Sequence, residues 1–171
     1  MTRNHLERAP DPPVGIVAAL AGPLEATSVD EVREWVITIT RRLLATDLVL
    51  LFEYIPGNCC LHCVGAGPGV AISGHIPEYA RVARVANEGM PEFADGVPSG
   101  LDLELLACVP VRTDVAILGA IAVYQRRGVG QAPSAGSCHT LLAIGRQAGI
   151  ALQRVAQRSR ATPPQGVVGT V

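Results

Sequence analysis

Residues 105–125 read LLACVPVRTDVAILGAIAVYQ, two apolar runs split by a short polar step. Runs this rich in aliphatic and β-branched residues, separated by a tight turn, predict two antiparallel strands, about 105–112 and 115–125, joined at Thr113 and Asp114. The chain on either side sorts around this pair. Downstream, a loop over 126–136 leads into a long helix, about 137–160, whose apolar stripe is Leu141, Ile144, Ala148, Leu152 and Val155. Upstream, 92–103 is acidic, contains glycine and is weakly patterned, which predicts a loop. Residues 78–88 predict a short helix ended by Gly89.

The N-terminal half has the same grammar. Ser28 followed three residues later by Glu31 is a capping box, and Val29, Val32, Val36, Ile39 and Leu43 then recur at helical spacing, predicting a helix over 28–45. A lead-in helix over 14–21 is broken at Gly22 and Pro23. Residues 48–55 and 59–65 predict a hairpin turning at Pro56-Gly57-Asn58, and the Gly- and Pro-rich stretch 66–77 predicts a loop across the sheet. The order helix, two strands, loop and helix, two strands, helix implies an α+β domain: one antiparallel sheet with the N- and C-terminal helices on one face. The single domain spans 14–160, between tails 1–13 and 161–171 that are too rich in Pro and Gly to order themselves.

Composition excludes several classes. A net charge of −1, from 14 basic and 15 acidic residues, gives no field favouring nucleic acid or an anionic membrane, so neither is expected as a partner. All 14 basic residues are Arg, but they are scattered, which fits coding bias better than an anion-binding cluster. No run approaches the roughly 20 apolar residues of a spanning helix. An odd number of Cys, five, with acidic and Pro-rich residues where a signal peptide would need positive charge, predicts a reducing, cytoplasmic setting.

Several strings resemble the GAF family, a group of small-molecule sensory and regulatory domains. Ser-Val-Asp-Glu-Val at the start of the first long helix, Ala-Thr-Asp before the first strand and Ala-Asn-Glu-Gly-Met-Pro at 86–91 are similar to that family. So are Ala-Cys-Val-Pro-Val and Ile-Leu-Gly-Ala-Ile-Ala-Val in the two late strands, and so is the closing helix. The resemblance implies a GAF-like fold, related to the PAS and profilin arrangement. It also implies a ligand pocket between the sheet and a lid formed by 66–103, and a homodimer through the terminal helices. With no output domain evident in the chain, the signal would pass to an unidentified partner protein. The cofactor or ligand is not identified by any string. Cyclic-nucleotide GAF domains carry a motif containing Lys, which this chain lacks.

The residues that could carry chemistry are few. His75 and Tyr79 flank the lid, and Glu92, Asp95 and Asp102 supply carboxylates within it. With Cys108 on the core strand they are the ligand-binding candidates, although the lid residues can equally be solvated loop positions. Cys60 and Cys63 form a Cys-x-x-Cys beside Cys59 and His62. Strand alternation turns Cys59 and Cys63 to one face and Cys60 and His62 to the other, against a four-ligand metal site, so the core reading of these thiols is preferred. Cys138, beside His139 at the start of the last helix, is the leading reactive thiol, because a helix N-terminus lowers a thiol pKa. The alternative is a half-exposed Cys with no role. The expected function is a sensory or regulatory domain rather than an enzyme. The alternatives are a thiol-dependent reductase like the free methionine sulfoxide reductases, using Cys108 with Cys59 or Cys63, and a dimerisation module that binds nothing.

Overall fold

The computed structural model describes residues 22–55, 60–66, 79–93, 103–126 and 133–161. After a 3-10 turn at Gly22–Glu25 come α1 (Val29–Leu44), β1 (Leu48–Tyr54), β2 (Leu61–Ala66), α2 (Tyr79–Glu88), β3 (Glu92–Phe93), β4 (Leu103–Arg112), β5 (Ile117–Arg126) and α3 (Ala135–Ala161). The lead-in helix over 14–21, the turn at 56–58 and most of the lid lie outside the described residues. The five strands form one sheet in the order β2-β1-β5-β4-β3, every neighbouring pair antiparallel. The two late strands lie side by side, as 105–125 demands.

Local chemistry sets the element ends. Ser28 is the N-cap of α1, its Oγ accepting from the Glu31 N–H at 3.2 Å. The Glu31 carboxylate reaches back to the Ser28 backbone only weakly. It accepts chiefly from the Thr27 N–H at 2.7 Å, and this bond, more than any other, holds its carboxyl below the usual range. Gly89, at φ +70, ends α2 with its N–H on the Val85 carbonyl, a left-handed position that suits glycine. Helix α3 starts earlier than the expected 137, because Ser134 Oγ accepts from the Ser137 N–H at 3.1 Å and so caps the turn before it.

Two strand readings are corrected. Residues 92–103 are not all loop, since Glu92 and Phe93 pair with Cys108 and Ala107 at the sheet edge. The β4–β5 turn covers 113–116 rather than two residues: the Thr113 N–H donates to the Ala116 carbonyl, and Thr113 Oγ1 accepts from the N–H groups of Val115 and Ala116.

The sheet separates two apolar layers. Helices α1 and α3 pack together across one face, burying Val32, Val36, Ile39, Leu141, Ile144, Ala148, Leu152 and Val155 against Val49, Leu51, Val109, Val111, Ile121 and Val123. All five positions of the α3 stripe are buried here. The contact is backbone-close: a Cβ at Gly145 would lie 2.5 Å from the Pro110 carbonyl oxygen, and one at Gly149 2.2 Å from that of Arg112. A bidentate pair, Arg33 to Glu53 at 3.1 and 2.8 Å, ties α1 to β1.

Among the described residues the other face carries α2 alone. It buries Leu48, Leu50, Phe52, Leu105, Cys108, Ala120, Ala122 and Tyr124 with Val82, Val85 and Ala86 of the helix. Leu105 and Cys108 share this face only because β4 bulges. Leu105 pairs with Tyr124 and Ala107 with Val123, leaving Leu106 as an extra residue.

Candidate functional site

The α2 face is where an apolar sheet meets polar side chains. Tyr79 opens α2, so its ring reaches down to β1 and β2: it sits edge-on to Phe52 with centroids 6.3 Å apart, and its hydroxyl donates to the Leu61 carbonyl at 2.8 Å. That proton is committed to the backbone, leaving the hydroxyl oxygen as an acceptor. At the far edge of the sheet, β3 carries Glu92. Arg81 and Arg84 stand on one face of α2 at i, i+3, and both reach this carboxylate, with Nε–O distances of 2.8 and 2.6 Å. Burial pushes the Glu92 carboxyl up, but hydrogen bonds from Arg81 and Arg84 and their charges outweigh it, so the group titrates below its ordinary value.

Cys108 lies opposite Glu92 in the β3–β4 pairing and is fully buried. Burial, helped by the Glu92 charge and opposed by that of Arg81, pushes its thiol up to about 12. Almost none of it is thiolate at neutral pH. Of the sequence candidates, Tyr79, Glu92 and Cys108 therefore share one face of the sheet. His75, Asp95 and Asp102 lie outside the described residues, as does Cys59.

The remaining thiols divide by exposure. Cys63 points into the α2 layer beside Leu61 and is half-buried, and burial raises its thiol above the ordinary value despite a contact with the Gly65 carbonyl. Cys60 and His62 are exposed. Cys138 departs from expectation. It sits within the first turn of α3, but its N–H is already taken by the Ser134 carbonyl at 2.9 Å, and burial raises its thiol where a helix N-terminus was expected to lower it. No group of three or more His, Cys, Asp or Glu side chains among the described residues could hold a metal ion.

Two grooves open elsewhere. One, of about 460 Å³, lies where Tyr54, Asn87 and Arg112 meet the β4–β5 turn, with Tyr54 donating to Asn87 Oδ1 at 2.5 Å. The other, of about 700 Å³, runs between α1 and β2. Sequence reasoning missed this second groove and the Arg81–Glu92–Arg84 cluster. The i, i+3 spacing of the two arginines was a legible signal for the cluster; the carboxylate they would meet was not.

No family model matches the sequence, and no curated protein matches it. The solved structures do. The GAF domain of the phosphoenolpyruvate-protein phosphotransferase of Acinetobacter superposes with a TM-score of 0.64 at 11% identity, over 88% of this chain and 95% of that one. The second GAF domain of DevS from Mycobacterium smegmatis gives 0.63 at 16%, over 79% and 100%. The fold is that of a GAF domain. The GAF domain of the potassium sensor histidine kinase KdpD of Escherichia coli extends the likeness, at 0.59 and 13% over 85% and 96%. In this GAF fold the terminal helices α1 and α3 take one face of the sheet and α2 takes the other, the arrangement expected from the sequence. No described helix is long and apolar enough to cross a membrane.

Proposed function

We propose that this chain is a sensory or regulatory GAF domain that binds a small molecule on the α2 face of its sheet. The observation that carries the reading is the contrast on that face: a buried apolar floor from Phe52 to Tyr124, edged by Tyr79 and by the arginine-clamped carboxylate of Glu92. An apolar floor with a few fixed polar groups is the usual make-up of a small-ligand site. The GAF domains of a potassium sensor histidine kinase and a phosphotransferase that share the fold support the regulatory role by analogy. We place the protein in the cytoplasm, on its cysteine content.

The reading includes a homodimer through α1 and α3 and a partner that receives the signal. Leu152 and Val155 are buried within the chain's own core, so any dimer seam has to use the outer, more polar sides of these helices. The competing thiol reductase reading is weakened by Cys108, whose thiol is poorly nucleophilic at neutral pH. Native mass spectrometry of freshly purified protein tests the proposal. A dimer mass with a bound small molecule, lost when Tyr79 and Glu92 are changed to Ala and Gln, is the expected result. A bare monomer that gains no ligand from a metabolite extract overturns it.

A further inference from the structure

The groove of about 700 Å³ between α1 and β2 lies away from the α2 face, and its two ends differ. Its apolar wall comes from Ile37 of α1 and from Val64, Gly65 and Ala66 of the edge strand β2. Gly65 keeps this wall close, since a Cβ there would fall 2.7 Å from Ile37 Cδ1. Toward the N-terminus of α1 the basic charges are satisfied, with Arg33 held by Glu53 and Asp30. Toward its C-terminus they are not. Arg41 and Arg42 meet no carboxylate among the described residues, although both line the groove.

Two further polar groups at that end lack partners. The Nε of Arg41 is sealed from solvent with no acceptor. Thr46 is only 7% exposed, and its hydroxyl has no partner either. Arginines in the last turn of a helix favour its dipole, which accounts for the presence of Arg41 and Arg42. It does not account for a buried, unsatisfied Nε–H and Thr hydroxyl on two residues lining one groove, since buried polar groups are nearly always paired. Everything unsatisfied here can donate, so the complementary ligand is a pure acceptor, an oxyanion, and a guanidinium fork matches a carboxylate or phosphate two bonds at a time.

We infer that the α1–β2 groove binds a small molecule joining one carboxylate or phosphate head to an apolar body. The head sits on Arg41, Arg42 and Thr46, and the body lies along Ile37, Val64 and Gly65. Binding requires the Nε edge of Arg41 and the Thr46 hydroxyl to turn outward by a side-chain rotation, because both are covered. Glu34 lines the groove seven residues before Arg41, about 10 Å along the helix, and repels a second anionic group at that end. A ligand with one anionic end is therefore selected over one with two.

The test is amide-resolved NMR titration of the full chain with octanoate, octyl phosphate and inorganic phosphate in turn. Saturable shifts at 37–46 and 64–66 are expected with both amphiphiles, each binding roughly tenfold or more tighter than inorganic phosphate because only they use the apolar wall. The tighter of the two identifies the head. Changing Arg41→Gln and Arg42→Gln together should weaken binding at least about tenfold, the loss expected when charge-assisted bonds are removed. Arg42→Gln alone, at an exposed position, keeps the test open should the double variant unfold.

Absence of saturable shifts at about 10 mM amphiphile, millimolar affinity being the weakest that counts as a site, overturns the inference. So does binding undiminished in the folded variants, or inorganic phosphate binding as tightly as the amphiphiles. Shifts confined to Leu61, Cys63, Leu105 and Cys108 also overturn it, while supporting a ligand on the α2 face.

Discussion

The two faces of this sheet use the same strands for different ends. Beneath α1 and α3 the contact is made of aliphatic side chains and of helix backbone lying directly on strand backbone at Gly145 and Gly149. Beneath α2 a single helix of 10 residues covers the middle of the sheet, and its margins are finished by Tyr79, by Tyr54 with Asn87, and by Glu92 between two arginines. Close packing without polar atoms fixes a fold but offers a ligand nothing to orient on, whereas polar groups at the edge of an apolar floor offer both. The comparison teaches that one sheet can carry a close-packed, largely aliphatic layer on one side and a layer finished by polar groups on the other.

The largest expected effect concerns burial of the thiols. At pH 8, in the native protein, iodoacetamide should modify exposed Cys60 at least about tenfold faster than Cys108, because Cys108 is buried and so little of a thiol pushed up to about 12 is thiolate. Peptide mapping by mass spectrometry after timed quenching reads the ratio. Comparable rates would mean that the α2 layer opens readily, and the contrast between the faces would fail.

Next comes the helix face. Gly149→Ala places a methyl 2.2 Å from the Arg112 carbonyl oxygen, backbone that cannot swing away, and should destabilise the chain by about 2–3 kcal/mol. Gly136→Ala, in the exposed first turn of the same helix with nothing nearer than 3.7 Å, should instead stabilise by about 0.5–1 kcal/mol through helix propensity. Urea denaturation of the two variants measures both, and equal effects would show that α3 does not rest on β4 as described.

The smallest effect is at the sheet edge. Glu92→Gln should cost about 1 kcal/mol near pH 7, the scale of a partly exposed charge-assisted cluster. Because the folded protein holds the Glu92 carboxyl below its unfolded value of 4.5, this contribution is complete above that pH. It disappears as pH falls through the lower, folded value. Denaturation curves for wild type and variant should therefore converge in acid; a gap that persists at low pH would assign the loss to packing rather than charge.

These layers were unequally legible. The α1 and α3 stripes could be read because helical period repeats over many residues, and Val32, Val36, Leu141 and Ile144 all arrive in the core as the spacing required. β3 could not be read, because two residues carry no period and become a strand only by pairing with Cys108 and Ala107. The direction of the Cys138 shift was not legible from its place in the helix, because its neighbours set it: the Ser134 carbonyl takes its N–H, and burial raises the thiol. Glu92 was picked out as a carboxylate near a pocket, but its partners Arg81 and Arg84 lie across a turn whose geometry no local string encodes. The α1–β2 groove joins Arg41 and Thr46 to Gly65, segments brought together only by the fold.

The bulge at Leu106 settles which side chains each layer owns. Strict alternation along β4 would send Leu105 and Cys108 to opposite sides, and one surplus residue brings them into register. Leu106 is thus the position in this strand where the chain can lose a residue and leave all its neighbours facing as before. A deletion at Val109 or Val111 would instead turn the rest of the strand inside out.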